Sequence, residues 1–177
     1  MKIVFQDFEV FLNLIEMKKK FVVILFLFFA NSKIFSQPQR GMKAYEISLP
    51  TVMGDTISLS SLKGKVVLLD FWASWCGPCR SSNRQLVKIY SKYKDKGFEI
   101  FGISLDKDLG KWESAIKNDK ISWLQVNDPG DWNAKTAVKW GIYAIPTSYL
   151  IDKQGQLVEM DLRGKSLEKA IKKLLKN

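Results

Sequence analysis

The sequence has no histidine and only two cysteines among its 177 residues, and these absences exclude several kinds of chemistry. Without histidine, the chain lacks the usual general base of serine and cysteine hydrolases. A zinc site usually has about four Cys, His or carboxylate ligands. One pair of cysteines supplies too few of them, so no metal is expected. The same count excludes the several widely spaced disulfides that stabilise many small exported domains.

Nucleotide-binding and nucleic-acid-binding patterns are missing as well. The chain has neither a GxGxxG loop nor a P-loop, so we expect no cofactor. Its net charge of +10 is the one feature that suggests nucleic-acid binding. The lysines, however, are scattered through helical patterns, such as Lys169, Lys172, Lys173 and Lys176, with no basic arm or reader motif. We interpret them as a solvated basic surface and expect no nucleic-acid partner.

Residues 1–36 are predicted to be an amino-terminal extension followed by a secretory signal. Three lysines at 18–20 precede an apolar run at 21–30, and a more polar stretch ends at Ser36. Ten apolar residues are too few to span a bilayer, which needs about 20. We expect translation to start at Met17, cleavage to follow Ser36, and the product to reach the periplasm or cell envelope. The alternative is that the segment stays as a membrane anchor.

Residues 37–43 are expected to be a linker, and residues 44–177 one α/β domain. A hairpin around Gly54 opens the domain, and two continuous apolar runs, 66–71 and 98–105, are typical of strands covered on both faces. Strands that alternate with helices favour a central mixed sheet. The remaining predictions are helices near Trp112, at 132–140 and after a cap at Ser166, and strands at 121–126, 148–151 and 156–160. Four tryptophans outside the central motif are assigned to packing: Trp112, Trp123, Trp132 and Trp140.

The two cysteines lie three apart, directly after the first buried strand. A helix that starts near Cys76 would stabilise its thiolate, because unpaired N–H groups and the helix dipole favour negative charge there. The pKa of the Cys76 thiol should then lie below the usual thiol value of about 8.5. Cys79, one turn later on the same face, can then resolve a mixed disulfide formed on Cys76. Gly77 permits the tight turn into the helix, and Pro78 is tolerated in its first turn. We predict a redox-active disulfide between Cys76 and Cys79.

This motif resembles the thioredoxin superfamily, and more closely the exported TlpA/ResA-like thiol–disulfide oxidoreductases. The run that carries the resemblance is Phe71-Trp72-Ala73-Ser74-Trp75-Cys76-Gly77-Pro78-Cys79-Arg80. The resemblance spans roughly residues 43–177 and implies a thioredoxin fold with a central mixed sheet flanked by helices, an added amino-terminal hairpin and a central insertion. It also implies protein disulfide substrates and a membrane-embedded thiol electron donor. We expect a monomer.

The segment Ile145-Pro146-Thr147 resembles the family's cis-proline element. The resemblance implies that Pro146 is cis and lies beside the cysteines, while the backbone of Ile145 pairs with an extended substrate. Trp75, Gly77 and Pro78 complete the expected substrate-binding set. The alternative reading of Pro146 is that it simply opens an edge strand.

Two positions depart from the family pattern, and they direct attention to Asp70. Many members carry an acidic residue and a proline where this chain has Ser82 and Arg84, so the proton-handling role of that acidic residue is in doubt here. Asp70 stands within an apolar strand, where a carboxylate is costly. In thioredoxins the matching position is a buried Asp linked to proton transfer at the second cysteine. We expect Asp70 to be the third catalytic residue, and the alternative is an Asp turned outward.

The expected function is reduction of disulfides in envelope proteins, with apocytochrome c among the conceivable clients. Gly-Pro between the cysteines resembles the reducing end of the superfamily. Redox potentials across the whole superfamily, from reducing to oxidising members, span about 150 mV. A weak disulfide oxidase or isomerase is an alternative. A peroxiredoxin-like thiol peroxidase is another, but it would need Thr or Ser where Ala73 stands and Pro where Leu69 stands. A non-catalytic binding module is disfavoured by the intact cysteine pair.

Overall fold

The structure is a computed structural model that describes residues 17–19 and 37–176. The chain divides into two compact units, residues 1–34 and 35–177. In the first unit, residues 17–19 are helical, whereas the predicted apolar run at 21–30 and the predicted cleavage site after Ser36 lie outside the described residues. Among the residues described, no helix has the length and apolar character needed to cross a membrane.

Residues 37–176 fold into strands and helices that alternate along most of the chain. In order, these are β1 (Ser48–Pro50), β2 (Thr56–Ser58), β3 (Val66–Trp72), α1 (Gly77–Tyr93), β4 (Phe98–Ser104), α2 (Leu109–Asn118), β5 (Leu124–Asn127), α3 (Lys135–Trp140), β6 (Thr147–Ile151), β7 (Leu157–Met160) and α4 (Gly164–Lys176). Strands β1 and β2 form the predicted antiparallel hairpin.

The other five strands form one mixed sheet in the order β5-β4-β3-β6-β7. Strand β3 runs parallel to β4 and antiparallel to β6, and β4 also runs parallel to β5. Both central strands, β3 and β4, are buried along their whole length, as their continuous apolar runs predict. The predicted α/β architecture around a mixed sheet is confirmed.

The two faces of the sheet bury different sets of side chains. Successive residues of a strand point to opposite faces. Val66 and Leu68 therefore join a cluster with helices α1 and α4, whereas Leu69 and Phe71 join a cluster on the opposite face. Each fully buried aliphatic or aromatic side chain contributes roughly 1.5–3 kcal/mol. Asp70 has the parity of Val66 and Leu68, so it points toward α1 and α4.

Three predicted boundaries are wrong. The N–H of Ile121 bonds the carbonyl of Ile116 and closes a turn after α2, so β5 starts only at Leu124. The predicted helix at 132–140 is interrupted at Ala134, whose backbone is extended between a 3₁₀ turn and α3. Ser166 lies inside α4 and does not cap it, since the helix begins at Gly164.

The segment at 37–43, predicted to be a linker, contacts the domain. The N–H of Gly41 donates to the carbonyl of Leu157, and Lys43 forms a bridge with Gln156 beside β7. The Gln37 side chain donates to the Gly141 carbonyl at 2.6 Å. The segment thus forms backbone hydrogen bonds along the free edge of β7.

Candidate active site

The two cysteines are joined by a disulfide at the amino terminus of α1. Cys76 is the N-cap residue, and its Sγ accepts a hydrogen bond from the N–H of Cys79 at 3.1 Å. A sulfur in this position faces the unpaired N–H groups of the first helical turn, which stabilise a thiolate. Cys76 is 6% exposed and Cys79 1% exposed, so Cys76 is the more accessible sulfur.

The loop before β6 lies directly beside Cys76. The Ile145–Pro146 peptide bond is cis, as predicted. The carbonyl oxygen of Ile145 is 3.7 Å from Sγ of Cys76. The pairing of Thr147 with Phe71 places this loop at the end of β3 from which the cysteine motif departs. The backbone of Ile145 therefore lies beside the sulfur of Cys76.

Helix α2 covers the disulfide from behind. Cys76 and Cys79 belong to a small apolar cluster whose other buried members are Trp72, Ala73, Trp112 and Ala115. The indole N–H of Trp72 donates to Oε1 of Gln125 at 2.9 Å, which fixes the ring. Gln125 crosses the sheet at Gly102, where an added Cβ would lie 2.1 Å from its side-chain nitrogen. A larger residue at 102 would therefore require the Gln125 side chain to shift.

The loop before the cysteines is held by a buried carboxylate at the end of β4. Both the backbone N–H and the hydroxyl of Ser74 donate to Asp106, at 2.8 Å and 2.6 Å. Ser104 donates to the same carboxylate at 2.7 Å. Three donors on one carboxylate make Asp106 a fixed anchor for the turn that precedes Cys76.

A second buried carboxylate, Asp119, lies at the carboxyl end of α2 and holds α1. Arg80 makes a bidentate pair with Asp119, including an Nη2–Oδ1 contact of 2.8 Å, and Asn83 donates to the same carboxylate at 2.9 Å. Arg80 also donates to the Ser74 carbonyl at 3.2 Å. This network joins α1, α2 and the loop before the cysteines.

The carboxyl group of Asp70 is buried without such partners. Asp70 is 4% exposed, and among the described residues no hydrogen bond to its side chain is present. Burial raises its pKa from 3.8 to about 7; the positive charge of Arg163 opposes this shift and the negative charge of Asp161 adds to it. The residue thus faces inward, as predicted.

Asp70 lines a narrow cavity of about 20 Å³ between β3, α1 and the start of α4. Ser82 and Gln85 of α1 and Pro146 line the same cavity. This volume is enough for one water molecule. Position 82, where many relatives carry the acidic residue, therefore faces the cavity that Asp70 occupies here.

Comparisons with known proteins agree with this geometry. Residues 39–175 match the Redoxin family. The thiol-disulfide oxidoreductase ResA of Bacillus anthracis is 38% identical over 133 residues, which are 75% of this chain and 73% of that protein. The thioredoxin domain of a thiol-disulfide oxidoreductase from Bacteroides vulgatus is 36% identical, with a TM-score of 0.73, over 77% of this chain and 98% of that one. A thiol-disulfide oxidoreductase from Bacteroides fragilis is 38% identical, with a TM-score of 0.71, over 75% and 99% of the two chains.

The chain belongs to the Redoxin family. It is a TlpA/ResA-like thiol–disulfide oxidoreductase of the thioredoxin superfamily, and its fold is the predicted thioredoxin fold. Protein disulfides are the substrates that this activity implies.

In this Redoxin-family chain, the predicted site residues fall into two groups. Cys76, Cys79, Ile145 and Pro146 meet at one end of the sheet, with Trp75, Gly77 and Pro78 exposed beside them. Asp70 lies in the cavity beneath α1, which it shares with Pro146.

The assignment of Trp132 to packing is wrong. Trp112, Trp123 and Trp140 are buried as predicted, but Trp132 is 46% exposed and its ring contacts that of Trp75. The 3₁₀ turn Asp131–Asn133 carries the side chain outward, whereas a continuous helix from 132 would have presented one regular apolar face. Sequence periodicity misses the difference because the turn is set by backbone contacts with β4.

Sequence reasoning also misses the anchors of the site. Asp106 directly follows the predicted buried strand at 98–105, so its position was available as a signal. Asp119 had no such signal, because an acidic residue at the end of an amphipathic helix is ordinarily a solvent-exposed one. Its partner Arg80 is 39 residues away.

Proposed function

We propose that this oxidoreductase reduces disulfides of client proteins in the cell envelope, with Cys76 as nucleophile and Cys79 as resolving residue. The observation that carries the proposal is the position of the Cys76 Sγ. It lies at a helix amino terminus, accepts the N–H of Cys79, and is 3.7 Å from the Ile145 carbonyl. A client segment that pairs with the backbone of Ile145 brings its disulfide to this sulfur.

The reaction begins from the dithiol form. The Cys76 thiolate attacks one sulfur of the client disulfide, the client S–S bond breaks, and the released client thiolate takes a proton from water. The Cys79 thiol then loses its proton and attacks the Cys76 sulfur. This step breaks the mixed disulfide, releases the second client thiolate and forms the Cys76–Cys79 disulfide seen in the structure. The client gains two electrons and the enzyme loses two.

We assign Asp70 as the acceptor of the Cys79 proton. A carboxyl group with a pKa of about 7 is partly ionised near neutral pH and is well matched to proton transfer. Ser82, one helical turn after Cys79, lines the cavity that holds Asp70, and the cavity admits a bridging water molecule. We propose that a water molecule in this cavity relays the proton from the Cys79 thiol to Asp70 beneath α1.

The reducing direction is supported by the Gly77–Pro78 dipeptide. Within the superfamily this pair resembles the reducing members, and strongly oxidising members usually have a histidine between the cysteines. The extremes differ by about 150 mV, or roughly 7 kcal/mol for two electrons. Continued turnover needs two electrons per cycle, for which we propose a membrane-embedded thiol donor. Export through residues 1–36 would place the enzyme beside such a donor, and apocytochrome c is one client class to test.

The equilibrium potential of the Cys76–Cys79 pair against glutathione tests the proposal. A reductase should give a potential toward the thioredoxin end of the range, about −270 mV. A potential of about −120 mV would make the protein an oxidase. An intermediate value near about −180 mV would favour the isomerase alternative. The experiment thus separates the three directions of disulfide exchange.

The assignment of the two cysteines has its own test. Cys79→Ser should accumulate client proteins on Cys76 as mixed disulfides, because attack succeeds and resolution fails. Cys76→Ser should trap none. Equal trapping by both variants would contradict the assignment.

No structural observation favours the peroxidase alternative. Ala73 is buried and supplies a carbonyl to the N–H of Cys76, so the hydroxyl that a peroxiredoxin would carry at this position is absent. Consumption of hydrogen peroxide by the purified protein would be the finding that revives it.

A further inference from the structure

Trp75 and Trp132 form an exposed aromatic pair beside the disulfide, which we call the tryptophan pair. Their ring centroids are 5.9 Å apart and the planes meet at 62°, an edge-to-face contact. Trp75 is 49% exposed and Trp132 46% exposed, although the chain's other described tryptophans are buried. Half-exposed indoles are costly on a free surface and are enriched where proteins bind one another.

The pair is held in place by a single stretch of backbone at the end of β4. The loop that carries Trp75 is anchored through Ser74 to Asp106. The turn that carries Trp132 is anchored through Asp131, whose N–H donates to the Leu105 carbonyl at 3.0 Å. The Asp131 carboxylate also pairs with Lys107 at 2.7 Å. Both indoles are therefore fixed relative to the same three residues, 105–107.

The close packing of the turn adds to this anchoring. Asp131 has a φ of +50°, in the left-handed region, and Gly130 precedes it. A Cβ at Gly130 would lie 2.9 Å from the backbone nitrogen of Ala134. The chain accepts this tight turn and, as a result, Trp132 points away from the core.

The charges around the tryptophan pair are neutralised within the protein. Lys107 pairs with Asp131, Arg80 with Asp119, and Lys111 with Asp108. A charged partner would gain little from these groups, because each already has a counter-ion. What remains available is the aromatic surface.

We propose that the tryptophan pair binds an apolar or aromatic side chain of the client, close in sequence to the client cysteine that Cys76 attacks. This inference rests on the proposed function, because it assumes that the partner is a disulfide-containing polypeptide. A client sulfur must come within bonding distance of Cys76, so its neighbouring residues cross the surface next to Trp75. Trp132 extends that surface to on the order of 10 Å, which an extended chain covers in about three residues. Trp132 is thus a specificity residue rather than a catalytic one.

A competition in the Cys79→Ser background tests the inference. The protein is mixed with equal amounts of two short peptides, each with one cysteine activated by 5-thio-2-nitrobenzoate, that differ only two residues from the cysteine, Trp in one and Ser in the other. The Cys76 thiolate attacks the peptide sulfur, the peptide–nitrobenzoate S–S bond breaks, and the aromatic thiolate leaves. Mass spectrometry gives the ratio of the two peptide adducts on Cys76.

The ratio should favour the Trp peptide by about 3- to 10-fold, the range of an aromatic contact. Trp132→Ala should bring the ratio close to one, and Trp132→Phe should retain most of the preference. Val138→Ala, a change at another exposed apolar side chain, should leave the ratio as in the parent protein. A ratio near one in the parent, an undiminished ratio in Trp132→Ala, or no adduct with either peptide would each overturn the inference.

The failure of this inference and the failure of the proposed function have different signatures. The adduct ratio depends on the first attack alone and carries no information about the redox potential. An oxidising potential would refute the reductase assignment and leave the ratio intact. A reducing potential with a ratio near one would keep the reductase and remove the role of Trp132.

Discussion

Helix α1 has a buried carboxylate on each of two faces, and the two are treated in opposite ways. On one face, Asp119 receives Arg80 and Asn83 of the helix and is fully paired. On the other, Asp70 lies beneath Ser82 and Gln85 in a cavity and receives no hydrogen bond from the described residues. Two aspartates packed against α1 thus lie in different environments, one paired and one in a cavity.

The difference shows how pairing separates structural from chemical carboxylates. A buried carboxylate with a bidentate arginine partner connects the elements that carry the two groups. A buried carboxylate without a partner keeps its proton longer, which is why the pKa of Asp70 rises to about 7. From 3.8 to about 7 is about three pKa units, or about 4 kcal/mol of cost to the ionised form. Such a cost is accepted where proton transfer is useful.

The largest predicted effect comes from removing the charge of Asp70. Because its pKa is raised in the folded state, Asp70 stabilises the fold most below pH 3.8, and this contribution is lost as pH rises through about 7. Asp70→Asn cannot ionise, so at pH 8 it should be more stable than the parent by up to about 4 kcal/mol, relative to their difference at pH 3. Chemical unfolding of the oxidised proteins across this pH range measures the effect.

The same variant should slow resolution of the mixed disulfide, because the proposed acceptor of the Cys79 proton is lost. Stopped-flow release of a client from Cys76 measures this rate. Asp55→Asn, at an exposed carboxylate in the hairpin turn, serves as the control and should change neither quantity. Unchanged stability together with unchanged release in Asp70→Asn would show that Asp70 has no role in proton transfer.

On the opposite face, Asp119→Ala should destabilise the protein by about 3 kcal/mol, because it leaves Arg80 and Asn83 without their acceptor. The size is at the low end for a broken buried pair, since the Arg80 side chain is 26% exposed and water reaches it. Urea unfolding measures the loss. The double variant Arg80→Met with Asp119→Ala should recover part of it, because no charge is then left unpaired.

A failure of the double variant to recover stability would mean that Arg80 is needed for more than its pair with Asp119. Its contact with the Ser74 carbonyl would then be the part to examine.

The two carboxylates also differ in how far they could be predicted from the sequence. Asp70 interrupts a continuous run of apolar residues that is typical of a strand covered on both faces, so its burial follows from local pattern. Asp119 is buried through partners on another helix, and no local pattern reports a contact across 39 residues. The cysteine pair was predicted from its spacing after a buried strand, and the cis bond at Pro146 from the family resemblance. The outward turn of Trp132 was missed because it depends on backbone contacts of Asp131 with β4.

A third buried carboxylate, Asp106, extends the comparison on the paired side. Ser74→Ala removes one of its three donors and leaves the backbone N–H of residue 74 and the Ser104 hydroxyl in place. The expected loss is about 1.5 kcal/mol, the low end for a hydrogen bond to a charged group, because the other two donors remain. Unfolding in urea checks it, with Ser81→Ala at an exposed position of α1 as the control. A loss as large as that of Asp119→Ala would contradict the expectation that removing one donor destabilises the protein less than removing the whole carboxylate.

The smallest predicted effect concerns the two charges that act on Asp70 from the loop before α4. Arg163 lowers the pKa of Asp70 and Asp161 raises it, so their removal should shift that pKa in opposite directions. Arg163→Gln should raise it and Asp161→Asn should lower it, each by a few tenths of a unit because both side chains are exposed and screened by salt.

An NMR titration of the Asp70 carboxyl carbon measures these shifts, and both should shrink when the ionic strength is raised. Arg163→Lys keeps the charge and controls for the lost contact between Arg163 and the Pro146 carbonyl. In Asp161→Asn, the amide oxygen can still accept the Ser148 N–H, so the backbone of β6 keeps its partner. Shifts of the same sign in both variants would show that the loop acts on Asp70 through its conformation, and opposite signs would show that it acts through charge. Opposite signs would mean that burial sets the pKa of Asp70 and that the exposed charges of Arg163 and Asp161 adjust it. Asp119, by contrast, is held in position by Arg80.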